Sequence, residues 1–359
     1  MNKHSVPRHA FATLCICAAS LLANAGEPHF PGKTWEPVPA PEALGWDTAK
    51  LKAARDYAKT IPTAAVMIIV EGRVLAAWGD TATKYNVHSI RKSFLSALYG
   101  ISVSERTIRL TDTMLDLGID DNAPSLTDIE KTATVDDLLK ARSGIYHPAL
   151  YEAATMAAAR PERGSHAPGT FWYYNNWDFN ALGTIYEKQT GTGTYSAFKT
   201  RIAEPLEMED FWLGDGKYVT GRDSIHRAYP FRMTARDMAR FGLLFLREGN
   251  WRGKQIVPKD WVAASITSYS DARNNGGYGY MWWIAANGKH LPKVRFPEGS
   301  YSARGNGGHY ILVVPKFDLV IVHRVNTDRR GNAVSAKQFG GLVRRILEAK
   351  RAESQARRQ

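Results

Sequence analysis

Hydrophobic and polar positions change their period along the chain, and the changes divide it. Residues 64–70 form a compact apolar run, Glu71-Gly72 breaks it, and residues 74–78 resume it. Two such runs across a two-residue turn predict a β-hairpin. Residues 90–103 switch to a helical period, with Phe94, Leu95, Leu98 and Ile101 on one side. From about 112 to 267 the pattern is mostly helical, interrupted by glycine and proline loops. Within it Thr234, with Asp237 three residues on, marks the start of a helix running to Leu246, and Pro258 opens another that carries Trp261. Strand signals return at 278–284, 310–314 and 319–322, and a last helix covers roughly 336–349. Strands near both ends with helices between them predict an α/β (α+β) fold. Its sheet domain is built from residues 46–118 and 268–349, with a helical domain at 119–267 inserted. Residues 26–45, rich in proline and polar side chains, read as a loose lead-in, and 350–359 as a basic tail.

The first 25 residues stand apart. Lys3 and Arg8 precede an apolar run from 10 to 23, too short to span a bilayer, and Ala23-Asn24-Ala25 follows as a small-x-small cleavage site. This predicts a secretory signal cut after Ala25, a mature chain beginning at Gly26, and a periplasmic or secreted protein. No later window is apolar enough for an integral membrane segment. Both cysteines, Cys15 and Cys17, leave with the signal, which excludes thiol chemistry and disulfides from the mature chain. The formal charge of +12 falls by two with Lys3 and Arg8. A basic protein of this kind suits an anionic cell-wall surface, although a basic helix end at 344–358 accounts for much of the excess.

Several chemistries are absent from the sequence. There is no His-Glu-x-x-His and the ten histidines lack ligand spacing, so no metal is expected. No glycine-rich loop follows a strand in a dinucleotide or Walker pattern, and Gly-x-Ser-x-Gly is missing. Nothing calls for a cofactor or a nucleic acid. Ser89-Ile90-Arg91-Lys92 does carry chemistry. A serine at the mouth of a helix sits beside unpaired backbone N–H groups, and a lysine three residues on lies one turn along the same face. If buried, that lysine is neutral and can take the serine proton. Ser196-Ala197-Phe198-Lys199 repeats the spacing inside the helical stretch and reads as packing. A second feature is the loop Pro168-Gly169-Thr170-Phe171-Trp172-Tyr173-Tyr174-Asn175-Asn176. A tyrosine and an asparagine two apart can relay a proton and hold a substrate carbonyl, in either of two registers, Tyr173 with Asn175 or Tyr174 with Asn176. The third is 300–309, a strand entering a glycine-rich turn, where backbone can approach a substrate closely.

Together, and in this order, the three features resemble the serine β-lactamase and penicillin-binding-protein superfamily. The likeness is closest to its class C-like serine hydrolase branch, with esterases, D-amino-acid-releasing peptidases and 6-aminohexanoate-dimer hydrolases, and it covers residues 46–347. It implies a β-lactamase/transpeptidase-like sandwich, an antiparallel sheet flanked by helices with an inserted helical domain. It also implies Ser89 as nucleophile, Lys92 and Tyr174 as proton-transfer groups, and Asn176 as a substrate contact, since the family's tyrosine lies six positions after the proline. The oxyanion donors become the backbone N–H groups of Ser89 and Arg304. The family's third box often reads Lys-Thr-Gly, but no lysine occurs at 300–309. Arg304 and His309 are the basic side chains there and the candidates for substrate binding. The missing lysine speaks against a β-lactam or a terminal D-alanine, and Trp172, Trp177, Trp282 and Trp283 are placed to wall the cleft for an uncharged acyl chain. The resulting expectation is an exported serine hydrolase of a small ester or linear amide. The alternatives are a D-alanyl-type peptidase or β-lactamase, and a non-catalytic penicillin- or peptidoglycan-binding module with a peptidoglycan fragment as partner.

Overall fold

The structure is a computed structural model that describes Met1 and residues 27–351. Residues 2–26, which hold the rest of the signal-like segment, and residues 352–359 of the basic tail lie outside the described residues. The centre is an eight-stranded, fully antiparallel sheet. In spatial order its strands are Arg73–Gly79, Thr63–Val70, Leu319–Val325, His309–Val314, Tyr301–Gly305, Trp283–Ile284, Gly277–Tyr278 and Ser270–Asp271. The N-terminal hairpin therefore lies against the C-terminal strands, with Val66 opposite His323 and Ile68 opposite Ile321. Its turn is the predicted one: Glu71 at φ 51° and Gly72 at φ 75° are both left-handed, the type I′ geometry that matches strand twist.

Period-two alternation decides what each face touches. Ala65, Met67, Ile69, Ile311, Val313, Val320 and Val322 point to one core. Val66, Ile68, Val70, Leu312, Val314, Leu319 and Ile321 point to the other. Both faces are covered, so the strands read as continuous apolar runs rather than alternating ones. Helices Thr48–Ala58 and Ala336–Glu348 cover the outer face, bringing Leu51, Ala54, Phe339, Leu342 and Ile346 into its core. On the inner face lies Ala235–Leu246, capped by the Thr234 side chain as expected, a contact worth about 1 kcal/mol. This helix, grouped by sequence with the inserted segment, brings Met238, Phe241 and Phe245 into the same core as Met67 and Val320.

Three details depart from the sequence pattern. Helix Arg91–Ser104 is buried all round from Arg91 to Ser102, not on one side, because it runs between the sheet and the inserted elements. The segment at 112–267 contains more loop than helix; its longest described helices are Asn176–Thr190 and Ala235–Leu246. The lead-in is tied down rather than loose. Val38 N–H donates to Val74 O and Val74 N–H to Glu36 O, Phe30 packs edge-on against Trp251, and the buried Arg240 guanidinium donates to the carbonyls of Gly32 and Lys33. Proline-rich backbone has few donors of its own, and here the partners come from outside it.

Candidate active site

The central helix brings its first turn to the end of the sheet. Tyr85–Asn86 pairs with Arg232–Met233, and Val87 N–H donates to Phe231 O, which fixes the approach. His88 then takes φ 49°, an uncommon conformation for a side-chain-bearing residue, held by a 2.8 Å bond from its N–H to Asn86 Oδ1. The short 3-10 turn His88–Ile90 carries Ser89 and leads into Arg91–Ser104. Gly305, at the end of the neighbouring strand, presses on this turn: a Cβ there would lie 2.3 Å from Val87 O. Only glycine lets that strand end approach so closely.

Lys92, one turn on, is 2% exposed, and its Nζ lies 2.8 Å from Ser89 Oγ and 2.9 Å from Tyr174 OH. Among the described residues no carboxylate lies within ion-pair reach of its Nζ, which sits over the Tyr174 and Phe179 rings. Burial, reinforced by the Arg91 charge, holds its pKa well below the ordinary lysine value. Burial pushes the Tyr174 phenol up to about 12, so it stays protonated. An amine whose charged form burial disfavours, set between two hydroxyls, can accept a proton from one and pass one through the other.

The tyrosine pair divides cleanly. Tyr174 reaches Lys92, whereas the Tyr173 hydroxyl donates to Met156 O at 2.7 Å. The asparagines divide too. Asn175 caps helix Asn176–Thr190 through Trp177 N–H and is buried against Asp178. Asn176 lines the cavity, its Nδ2 donating to Tyr151 O at 2.8 Å and its Oδ1 buried without a partner. The free atom of that amide is thus an acceptor, whereas the sequence reading assigned it to a substrate carbonyl.

Ser89, Tyr174, Asn176 and Arg304 all line one cavity of about 710 Å³. Arg304 donates to Ser302 Oγ, Asn275 Oδ1 and the Nδ1 and carbonyl of His290, all neutral groups, and lies over the Trp283 ring. Burial lowers its pKa to about 10, which leaves it cationic at neutral pH. His309 is not part of the wall. It is fully buried behind His88, the two rings 5.2 Å apart and sharing the Thr327 hydroxyl, so the expectation that it touches substrate is corrected. A strand residue one step into the pairing points into the interior, not the cleft. The tryptophan wall also shrinks. Trp283 lines the cavity and Trp172 packs behind it, but Trp177 and Trp282 are core residues, the first donating to Asp121 and the second stacked among Phe241, Phe245 and Tyr301.

The sequence reading did not single out Tyr151, Glu152 and Asn275, which also line the cavity. Tyr151 and Glu152 lie on an irregular segment and Asn275 on the short 3-10 turn Arg273–Asn275, none with a periodicity to mark it. A buried carboxylate in a loop, 22 residues before Tyr174, has no sequence signal of its own.

Residues 49–343 match the family model described as Beta-lactamase. An uncharacterized protein of Alkalihalophilus pseudofirmus is 24% identical over 272 residues, covering 68% of this chain and 74% of that one. Among solved structures, a Bacillus anthracis protein described as a putative 6-aminohexanoate-dimer hydrolase superposes with a TM-score of 0.60 at 21% identity, covering 82% of this chain and 80% of its own. A class C beta-lactamase in complex with cefoxitin gives 0.60 at 18%, covering 84% and 99%.

Proposed function

We propose that this chain, which belongs to the beta-lactamase family, cleaves a small ester or linear amide through an acyl-enzyme on Ser89. The observation that carries the reading is the Ser89–Lys92–Tyr174 contact chain at a cavity wall, with a lysine whose charged form burial disfavours. Ser89 Oγ attacks the carbonyl carbon while Lys92 Nζ takes its proton, and the carbonyl π pair moves to oxygen. The backbone N–H of Ser89 and one at the strand end by Arg304 hold that oxyanion; each such donor lowers the barrier by about 3–4 kcal/mol. Collapse breaks the bond to the leaving group, which receives the proton from Lys92 through the Tyr174 hydroxyl. Water then attacks the acyl carbon, giving its proton back along the same path, and the acid leaves with Ser89 restored.

A β-lactam or D-alanyl substrate is the second reading, and Arg304 favours it. The guanidinium faces the cavity with only neutral partners, so it can take the role of the missing lysine toward a carboxylate. The chemistry also fits export, through the Ala23-Asn24-Ala25 site, to a compartment where peptidoglycan fragments are at hand. Among the described residues, no helix is long and apolar enough to cross a membrane. Mass spectrometry after exposure to activated esters, amides and penicillins tests the reading. A covalent acyl group on the peptide carrying Ser89 is expected from an ester or amide donor; no adduct from any donor overturns it in favour of a non-catalytic binding module. An adduct from penicillin alone selects the second reading.

A further inference from the structure

Two basic side chains leave consecutive positions of the central helix for one buried region, and the chemistry above uses only Lys92. The other, Arg91, is 1% exposed. Its Nη2 donates to Asn180 Oδ1 at 2.9 Å, and the guanidinium lies over the Tyr229 ring, 4.2 Å from the centroid. Nε and Nη1 are buried without a partner, and among the described residues no carboxylate pairs with this side chain. An arginine does not shed its proton in a protein, so a whole positive charge rests here on one neutral amide and an aromatic face. Buried charges are ordinarily paired, and one left uncompensated costs stability.

That charge is set against Lys92. Both cations meet helix Asn176–Thr190 at consecutive residues: the lysine Nζ lies 4.7 Å from the Phe179 ring, and Arg91 bonds Asn180. The contact is fastened, because Tyr229 OH donates to Phe179 O and Asn180 Nδ2 to Leu150 O, both at 2.9 Å. The other groups around the amine do not cancel the arginine. Burial holds the His88 imidazole pKa down to about 4 and the Tyr174 phenol up to about 12, so both are neutral at pH 7. Asp178, on the same helix as Phe179, is turned to Ser143 and Asn175, and burial pushes its pKa well above the ordinary carboxylate value. Glu152 draws the other way, but its carboxylate is already paired with Arg160. Two cations in a dry interior repel, and of the two only the lysine can give up its proton.

We propose that Arg91 tunes the base: its uncompensated charge opposes a second charge at Lys92 and so leaves the amine free to take the Ser89 proton. It is absent from the cavity lining and acts through Lys92, which makes it a positioning residue. This rests on the Ser89 acyl-enzyme reading above. It accounts for a charged side chain at a position buried as deeply as its apolar neighbours Ile90 and Phe94.

The test is the pH dependence of kcat/KM on p-nitrophenyl acetate, for the native protein and two variants that cancel the charge by opposite means. Arg91→Gln removes it, whereas Asn180→Asp keeps the arginine and hands it a carboxylate. Both should move the acid limb of the profile up by about one pH unit or more, which is about a tenfold loss at a pH on that limb, with the alkaline plateau within a few-fold of native. A packing role alone would lower the plateau and leave the limb in place. Thermal melting accompanies the kinetics. Each variant relieves an unpaired buried charge and should fold; where one does not, the other decides, and failure of both overturns the proposal by making the guanidinium a need of the fold. A limb at the same pH in every folded protein, or in none of them, also overturns it, while an acyl group on Ser89 leaves the acyl-enzyme reading standing. No hydrolysis and no acyl group on Ser89 in the native protein overturns both.

Discussion

The chain carries the Ser-x-x-Lys spacing twice, and the two copies show what the spacing means. At Ser89 the lysine is buried to 2% exposure between a serine and a tyrosine hydroxyl, with aromatic rings beneath it and no carboxylate partner. At Ser196 the serine is exposed on the short helix Thr194–Phe198, and Lys199 Nζ reaches out to Glu204 Oε1 at 2.5 Å. Both lysines stand one turn from their serine. Only the first is stripped of water and counter-ion, and desolvation is what turns an ammonium into a base. The four-residue pattern specifies a neighbour relation; the chemistry comes from what surrounds it.

The largest effect that would break this comparison is on turnover. Ser89→Ala is expected to lower kcat/KM by on the order of 10⁶, the scale seen when a serine hydrolase loses its nucleophile. Ser196→Ala should stay within a few-fold. Steady-state kinetics on one activated ester settles it, and comparable losses at both serines would remove the distinction drawn above. Next comes the proton path. Tyr174→Phe should cost about 10²–10⁴ in rate, whereas Tyr173→Phe, whose hydroxyl bonds Met156 O, should cost much less. The reverse order would mean that the wrong tyrosine has been placed beside Lys92.

Much of this was legible beforehand, for identifiable reasons. The hairpin at Glu71-Gly72, the Thr234 cap and the strand runs at 310–314 and 319–322 are set by local backbone and burial rules, so sequence pattern and structure agree there. The two tyrosines could not be separated by pattern alone; adjacent residues differ in direction only once the loop is folded. His309 and the buried tryptophans were misplaced because spacing to a motif says nothing about which side of a strand or helix faces the cleft. Glu152 escaped because its ion pair with Arg160 and the cavity it lines together with Asn176 exist only in three dimensions.

A third difference between the copies is thermodynamic and sharpens the first two. Burial lowers the Lys92 pKa in the folded chain relative to its unfolded value. Between those two values the unfolded chain binds the extra proton, so Lys92 penalises folding at neutral pH, and the penalty fades as pH rises through the unfolded lysine value near 10.4. Lys92→Met should therefore abolish turnover and raise the melting temperature at neutral pH, with the gain shrinking at alkaline pH. The proposed base role of the same lysine also sets the sign expected of the rate profile: kcat/KM should fall as pH drops through its lowered pKa, because a protonated amine cannot take the serine proton. A variant that melts lower than the native protein at pH 7 would show that Lys92 stabilises the fold, and the account of its desolvation would be wrong.

The smallest expected effect belongs to the second copy. Lys199 is 38% exposed and Glu204 53%, so their pair is an ordinary surface contact. Two flexible side chains in high dielectric gain little from meeting, and salt screens what they gain. A double-mutant cycle of Lys199→Ala and Glu204→Ala, followed by urea denaturation, should give a coupling of about 0.2–1 kcal/mol that declines as salt is raised. Activity should follow neither substitution. If the coupling were several kcal/mol and indifferent to salt, or if Lys199→Ala slowed the reaction beyond a few-fold, the second lysine would be doing something that its surroundings do not provide for. Burial, rather than the spacing both copies share, would then have lost its place as the property that distinguishes them.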